Sequence, residues 1–392
     1  MATAFPASPY SPLTTSCEIL TGGKRYFDYL LDIIDSSQKV LHLQVYIFNH
    51  DTTGLQVQEA LIKASLRGVQ VSLVLDGIGS GHLPKGFLNR FLEAGIEVRF
   101  FSKVHFRIPL RMGRRLHHKL VVADQQRAMI GGINIADRYR GSETEKPWLD
   151  YAVYLEGDIC VDLHHLAAKI LKKRDTKLLK QARADGSIKP TSCINARLLE
   201  NDFFGKKLQV RKSYYAAILK AKDTIILFAS YFLPSLKLMR LLEKASARGV
   251  KVSIVLPEKT DVLFYQTAVK YLYKRMLKNG ISIYEYTATV LHAKVAVIDG
   301  EWCSIGSYNL NDLSDLLSIE LNVEIVDRSI VQPFQQQLRT IIVQDCREVE
   351  GKVYNRVFLL QRLLSSIYYF GVLQAIKLLY WLTDKKKDYP IE

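Results

Sequence analysis

The 392-residue chain is short of cysteine, short of acidic residues relative to basic ones, and has no charge-free apolar run of membrane-spanning length. Its five cysteines (Cys17, Cys160, Cys193, Cys303, Cys346) are scattered and odd in number. There is no C-x-x-C and no His/Cys cluster at zinc-ligand spacing, so they read as reduced thiols of a reducing, cytosolic compartment, and no metal or other cofactor is expected. Residues 1–15 are rich in Pro, Ser and Thr but have neither a basic start nor an apolar stretch, so a tail is expected there and not a signal peptide or anchor. Asp and Glu number 39 against 54 Lys and Arg, a net charge of +15. Such a surplus points to an anionic partner, whether nucleic acid, an anionic membrane surface or a phosphate-bearing substrate, or it serves solubility alone.

What the chain does have is repetition. The pattern His-x-Lys-x-x-x-x-Asp occurs as His117-His118-Lys119-Leu-Val-Val-Ala-Asp124 and again as His292-Ala-Lys294-Val-Ala-Val-Ile-Asp299. Each copy is followed, after six residues, by a small turn ending in Asn: Gly131-Gly132-Ile-Asn134 and Gly306-Ser307-Tyr-Asn309. A second repeat, Lys-Ala-Ser-x-Arg-Gly-Val-x-Val-Ser-x-Val-Leu, is shared by residues 62–75 and 243–256. Its copies lie 181 residues apart and the motif copies 175 apart, so whole domains are duplicated and one site is built from two halves.

Both halves alternate helix and strand. The first carries a helix over Gly23–Ser36, a strand over Val40–Phe48, a helix over Leu55–Leu66 ended by Gly68, a strand over Val69–Leu75, a helix over Leu83–Ala94 and a strand over Ile96–Phe101. The second repeats that order over Tyr214–Ala221, Thr224–Phe232, Leu236–Ala247, Val250–Leu256, Tyr265–Asn279 and Ile281–Tyr286. The expected class is α/β, with helices covering a mixed sheet. The domain reading is a tail over 1–16, a first half over 17–204, a second half over 205–350 and a C-terminal segment over 351–392. Residues 157–204 include Lys169, Lys172, Lys173, Arg174, Lys177, Lys180 and Arg183, a basic helical stretch that is either a solvated face or a head-group contact. Val353 to Thr383 is apolar and aromatic, broken by Gln361, Arg362, Gln374 and Lys377 and closed by Lys385-Lys386-Lys387. Lys377 argues against spanning; an apolar helix lying in the head-group interface, or a core helix packed on the second half, is expected.

The two motifs lie on alternating apolar runs, Leu116–Val122 and Val290–Ile298, so each reads as a strand with its His and Lys on one face. Together they deliver two imidazoles and two ammonium groups to one pocket. Asn134 and Asn309 add amide donors and Ser307 a hydroxyl. That set suits a phosphodiester, whose oxygens the cations and amides neutralise most strongly in the transition state. One imidazole attacks phosphorus to make a phosphohistidine, and the other protonates the leaving alkoxide and later deprotonates the acceptor. The two motifs do not say which His attacks. The candidate catalytic set is His117, Lys119, Asp124, His292, Lys294 and Asp299, with both Asp ending their strands as braces for the loop. Glu320 is the candidate orienter of a histidine in the second half and Asp150 its counterpart, each otherwise a turn or cap residue. His118 faces the other side of its strand and reads as structural. His105, Arg107, Arg111, Arg114 and Arg115 form a basic loop, either a phosphate or head-group collar or a solvated loop. Asp261 and Tyr265 are expected along the cleft.

These residues resemble the phospholipase D superfamily, whose hallmark is the paired His-Lys-Asp motif, over about residues 17–350. Within it the chain looks most like bacterial cardiolipin synthases of the short, peripheral type. The similar stretches are Gly131-Gly-Ile-Asn-Ile-Ala-Asp137, Tyr231-Phe-Leu-Pro234, Leu291-His-Ala-Lys-Val-Ala-Val-Ile-Asp-Gly-Glu-Trp302 and Gly306-Ser-Tyr-Asn-Leu-Asn311. The resemblance implies two duplicated α/β sandwich halves meeting at a pseudo-twofold cleft. It also implies transfer of a phosphatidyl group from phosphatidylglycerol to the hydroxyl of a second lipid, with release of glycerol. Many such synthases begin with two transmembrane helices that this sequence does not show, and Gln44 stands where many relatives carry Glu. The expected function is therefore a cardiolipin synthase-like phosphatidyltransferase. A phospholipase D hydrolase releasing phosphatidic acid, or a nuclease on the same fold, is the alternative. The expected partners are an anionic phospholipid membrane and a phosphatidylglycerol-type substrate, with no nucleic acid; the expected location is the cytoplasmic face of the cell membrane, peripheral or monotopic.

Overall fold

The computed structural model describes residues 14–102, 114–171, 194–203, 205–262, 265–350, 364–371, 374, 375 and 378. The strands of the first half are β1 (Thr14–Thr21), β2 (Val40–Val45), β3 (Gln70–Asp76), β4 (Glu97–Phe101), β5 (Arg115–Leu116), β6 (Lys119–Ala123), β7 (Arg127–Gly131) and β8 (Tyr151–Gly157). All but β5 form one sheet in the order β1-β8-β7-β6-β2-β3-β4. The second half contributes β9 (Ala196–Asp202), β10 (Lys207–Leu208), β11 (Thr224–Ala229), β12 (Lys251–Pro257), β13 (Ser282–Tyr286), β14 (Lys294–Ile298), β15 (Trp302–Gly306), β16 (Ser318–Ile325) and β17 (Cys346–Glu348). Their order is β10-β9-β16-β15-β14-β11-β12-β13-β17. With the short edge strands β10 and β17 set aside, the two sheets have the same order, which is the duplication read from the repeats.

The second repeat has a local physical reason. Helix Thr52–Leu66 starts at Asp51, whose side chain accepts from Gly54 N, and helix Leu236–Ala247 starts at Ser235, which accepts from Leu238 N. Both end in Arg-Gly-Val. Gly68 and Gly249 have φ of 95° and 92°, a left-handed conformation that glycine reaches without strain, and the following Val amide returns to Ala64 or Ala245. The Arg before each Gly reaches the end of the preceding helix. Arg67 donates to the Ile34 and Asp35 carbonyls, and Arg248 to those of Ile218 and Ala221. Each copy of the repeat therefore carries a helix stop, a strand start and a cap for its neighbour.

Three large cores follow from this arrangement. One lies between the first sheet and its helices, around Phe27, Leu61, Phe91 and Leu73, and another lies in the second half around Tyr214, Leu242, Met276 and Ile254. The third joins the halves. Val122, Ile130, Val153 and Leu155 of the first sheet pack with Phe228, Val297, Leu321 and Val323 of the second. The central strands β6, β14, β15 and β16 are buried on both faces, as near-continuous apolar runs predict. Among the described residues no helix is long and apolar enough to cross a membrane.

Some boundaries differ from the sequence reading. β9 pairs with β16 from Ala196↔Ile325 to Asn201↔Glu320, as β1 pairs with β8, so the second sheet takes in residues before 205 and the first starts at Thr14. Edge strands of this kind, half polar, give little periodic signal. The start of the connecting stretch is a core helix, Ile159–Ile170, with Ile159, Cys160, Leu163 and Ala167 buried between the halves. Lys172 to Arg183 lie outside the described residues, as do residues 1–13, His105, Arg107, Arg111 and most of the C-terminal segment. Arg114 and Arg115 do not form an open collar. Arg114 pairs with Asp202 at 2.9 Å, and Arg115 pairs with buried Asp76 at 3.2 Å. At the C-terminal end residues 364–371 are helical. Ser365 and Tyr369 are buried, and the Tyr369 ring stacks on Tyr271 at 4.7 Å.

Candidate active site

Each motif histidine stands just before its strand, where the chain leaves its own sheet to touch the other half. β5 pairs in parallel with the start of β16, Leu116 against Ile319, and His117 N donates to Ile319 O at 3.0 Å. The pseudo-twofold counterpart is the parallel bridge Leu149↔Leu291, with His292 N donating to Leu149 O at 2.8 Å. The expected strands over Leu116–Val122 and Val290–Ile298 are broken here for that reason: residues 117, 118, 292 and 293 pair with neither ladder of their own sheet. His117 and Lys119 nonetheless reach the same side, as do His292 and Lys294.

The carboxylates are exchanged between halves. Glu320 is the residue after Ile319, and its Oε2 lies 2.8 Å from His117 Nδ1. Asp150 is the residue after Leu149, and its Oδ2 lies 2.5 Å from His292 Nδ1. The sequence named both carboxylates as orienters without assigning either to a ring, and the structure crosses them. Each histidine is oriented by the partner half, because the parallel contact that positions its backbone also delivers the next residue's side chain. The carbonyl of Ser307, also from the second half, lies 3.0 Å from His117 Nδ1.

The two turns differ in one useful way. Ser307 Oγ donates to Glu320 Oε2 at 2.6 Å and accepts from Leu321 N at 3.0 Å. Its counterpart is Gly132, where a Cβ would meet the Asp150 carboxylate oxygens at 2.3 and 2.5 Å. The shorter Asp therefore needs the empty space of a glycine, and the longer Glu is met by a hydroxyl. Asn134 Oδ1 accepts from Ile47 N at 3.0 Å, and its amide donates to Tyr139 Oη at 2.9 Å; Asn309 Oδ1 accepts from Ser230 Oγ at 3.2 Å. Both side chains hold the ends of the central strands, and Asn134 spends its donor on Tyr139.

Lys119 Nζ donates to the His117 carbonyl at 2.9 Å and lies over the Tyr46 ring at 5.1 Å. Lys294 Nζ donates to the His292 carbonyl, lies 3.7 Å from Asp150 and sits over Tyr231 at 5.9 Å. Tyr46 and Tyr231 also touch the histidines edge-on, at 4.9 Å from His117 and 6.0 Å from His292. Sequence reading passed over Tyr46. The signal was there, since both half-site strands run into a Tyr followed by an aromatic or apolar pair. Tyr139, whose Oη lies 3.3 Å from His292 Nε2, was also missed. Asp261 and Tyr265 do reach this wall: Tyr231 donates to Asp261 at 2.6 Å and packs on Tyr265 at 5.4 Å.

Asp124 and Asp299 point away from the chemistry. Asp124 accepts from the amides of Gln38, Lys39 and Val40 at 2.7–2.9 Å, and Asp299 from those of Lys222, Asp223 and Thr224 at 2.8–2.9 Å. Five strand residues separate Asp124 from Lys119, about 16 Å at 3.3 Å per residue. Their place in the candidate catalytic set is corrected to that of braces at the far end of the central strands. His118 is buried, with Nδ1 3.1 Å from Gln44 Oε1, and Gln44 in turn donates to Ala167 O at 3.1 Å. Gln44 thus ties the His118 face of the sheet to the core helix. Among the described residues no three His, Cys, Asp or Glu stand together as ligands for a metal ion.

Burial and charge set different states on the two sides. Burial pushes the Lys119 ammonium down to about 7, with Lys294 adding to the fall and Glu320 opposing it. Lys294 is lowered by burial too, against the pull of Asp150. Burial lifts the Asp150 carboxyl to about 6 despite Lys294. For Glu320 burial acts in the same sense, but the His117 charge, its hydrogen bond and that of Ser307 outweigh it and hold the carboxyl below its ordinary range. Both imidazoles are lowered by burial, His117 against the pull of Glu320 and His292 with the help of Lys294 and Lys119. The Glu320 carboxylate on His117 Nδ1 is thus held ionised to a lower pH, while Asp150 on His292 Nδ1 holds its proton to a higher one.

A cleft with two oriented imidazoles and two desolvated ammonium groups can bind an anionic phosphodiester, attack it and protonate its leaving group. Comparison with known proteins agrees. The family model described as cardiolipin synthase, PLD-like domain, matches residues 30–151 and 214–342. Cardiolipin synthase B of Salmonella typhi is 30% identical over 340 residues, covering 85% of this chain and 82% of that protein. Cardiolipin synthase 2 of Bacillus cereus is 27% identical over 373 residues, covering 90% of this chain and 70% of that protein. In fold, the chain is similar to the crystal structure of phosphatidylserine synthase from Haemophilus influenzae, with a TM-score of 0.71 over 95% of this chain and 97% of that one, at 13% identity. The duplicated sheets, the paired motifs at one cleft and these likenesses together place the chain in the phospholipase D-like cardiolipin synthase family.

Proposed function

We propose that the protein is a phosphatidyltransferase that moves a phosphatidyl group from a phosphatidylglycerol-type donor to the hydroxyl of a second phospholipid, making a cardiolipin-type product. The observation that carries this reading is the crossed geometry, in which each motif His has Nδ1 on the other half's carboxylate and an ammonium beside it. A phosphodiester held by Lys119 and Lys294 is attacked by His117 Nε2; the P–N bond forms as the P–O bond to glycerol breaks, and His292, which takes up a proton as the phosphodiester anion enters beside it, gives that proton to the departing glycerol oxygen. The acceptor hydroxyl then gives its proton to His292, and its oxygen displaces His117 from phosphorus. His117 is the attacking base in this reading because its carboxylate is held below its ordinary range, while that of His292 keeps its proton to a higher pH, and because its side chain keeps 13% exposure, against 7% for His292. Stabilisation of phosphoryl charge falls to the lysines, in a site where burial makes them strong.

The substrate is a lipid, and contact with an anionic bilayer, on its cytoplasmic face, is part of the same reading. Supporting it are the +15 charge and residues 364–378, where Leu364, Ile367, Phe370 and Leu378 are 40–56% exposed while Tyr369 packs on the second half. The segment thus combines the two readings of the C-terminal stretch, one face on the core and an apolar face left for the head-group region. The test is product analysis in phosphatidylglycerol vesicles. Released glycerol with tetra-acyl lipid is expected, none from His117→Ala or His292→Ala, and labelled phosphate trapped on His117. Phosphatidic acid as the sole lipid product would remove the transferase reading.

A further inference from the structure

We infer that Arg138 binds the phosphate of the acceptor lipid. This rests on the transferase reading above. A phospholipid acceptor brings a second anion into a cleft whose two ammonium groups already hold the donor phosphate, so a second cation is required on the side where the acceptor hydroxyl meets its base. Three arginines of the two halves are tied to carboxylates, Arg114 to Asp202, Arg115 to Asp76 and Arg211 to Asp315. Among the described residues Arg138 has no carboxylate partner. Its guanidinium lies 4.8 Å over the Trp148 ring and 5.5 Å from that of Tyr139, and its Nε is buried with no hydrogen-bond partner.

The same two rings form the wall beside His292, at 6.0 Å for Trp148 and 5.2 Å for Tyr139. The platform is built into the backbone, since Trp148 N donates to Arg138 O at 2.8 Å. A planar guanidinium parked on aromatic faces keeps its N–H edge for an oxyanion, which it meets with paired hydrogen bonds. The cation is also one-sided. Arg138 stands four residues after Asn134, and the position four after Asn309 is Leu313. The duplication therefore does not repeat this charge in the sequence of the second half, as two chemically different lipid sites require.

The experiment gives phosphatidylglycerol vesicles and ethanol to wild-type protein, Arg138→Gln and Arg138→Lys, and reads two products of one phosphoenzyme. Tetra-acyl lipid reports an acceptor with a phosphate, and phosphatidylethanol an acceptor without one. The ratio is internal to each reaction and independent of how much variant folds. It is expected to fall at least tenfold in Arg138→Gln and less in Arg138→Lys. A ratio within threefold of wild type in both variants overturns the inference. If the Gln variant makes neither product, the Lys variant decides, and loss of both products in both variants overturns it by assigning Arg138 to the scaffold. Wild-type protein that makes phosphatidylethanol but no tetra-acyl lipid overturns the transferase reading and this inference together; both products with an unmoved ratio overturn this inference alone.

Discussion

His117 and His292 share a motif but hold carboxylates of opposite habit, and that difference has a pH signature. Asp150 sits at about 6, so its anion, the partner of His292 Nδ1, forms as the pH rises through that value. Lys119 sits at about 7, so its positive charge, present below that value, is lost as the pH rises through it. The pH profile of kcat/KM, which reports the free enzyme, is expected to rise through about 6 and fall above about 7. Asp150→Asn should remove the acid limb and lower turnover by about 10²–10⁴-fold, the range for loss of a positioned acid–base partner; an acid limb that survives the substitution would refute the assignment. Strand alternation was enough to choose His117 over His118, whose burial and bond to Gln44 place it on the other face. It was not enough to pair histidines with carboxylates, because Glu320 and Asp150 lie 203 and 142 residues from the rings they hold.

At the scale of the element, the aspartates that close the motifs act through the backbone. Asp299 has φ of 55° and three amide donors at the start of β11, and Asp124 repeats this at β2 with φ of 54°. Asp299→Ala is expected to cost about 2–4 kcal/mol in urea unfolding, the loss of a charged acceptor from three amides together with a strained left-handed backbone. Asp299→Asn keeps an acceptor and tolerates that φ, so it should cost about half as much. A fully stable Asp299→Ala protein with no turnover would return this residue to the chemistry. These braces were half legible. Their position after an apolar strand marks a turn, but which amides they receive depends on a neighbouring strand some 80 residues away.

On the scale of the whole molecule, the joint between halves does two jobs, burying the third core and assembling both His–carboxylate pairs. In the proposed reading the membrane side is carried by the second half, where Tyr271 supports Tyr369 and leaves Ile367 and Phe370 outside. Ile367→Ser with Phe370→Ser is expected to weaken sedimentation with anionic vesicles about tenfold or more at unchanged Tm, given about 1.5–3 kcal/mol for burying such a side chain in full. Tyr369→Ala, on the inner face, should lower Tm instead; vesicle binding unmoved by the double substitution would refute the contact. The sequence alone determined the duplication, the α/β class, the helix stops at Gly68 and Gly249 and the two motifs that set a His beside a Lys. These rest on short-range physics: side-chain period, caps, turn residues and residue type. Only the tertiary structure decided that the halves exchange carboxylates, that Gly132 makes room for Asp150, and that Arg138, among the described residues, rests on the rings that line His292 and not on a carboxylate. The carboxylate exchange depends on the parallel contacts Leu116–Ile319 and Leu149–Leu291, which no local pattern encodes because the partners are set by how two sheets stack.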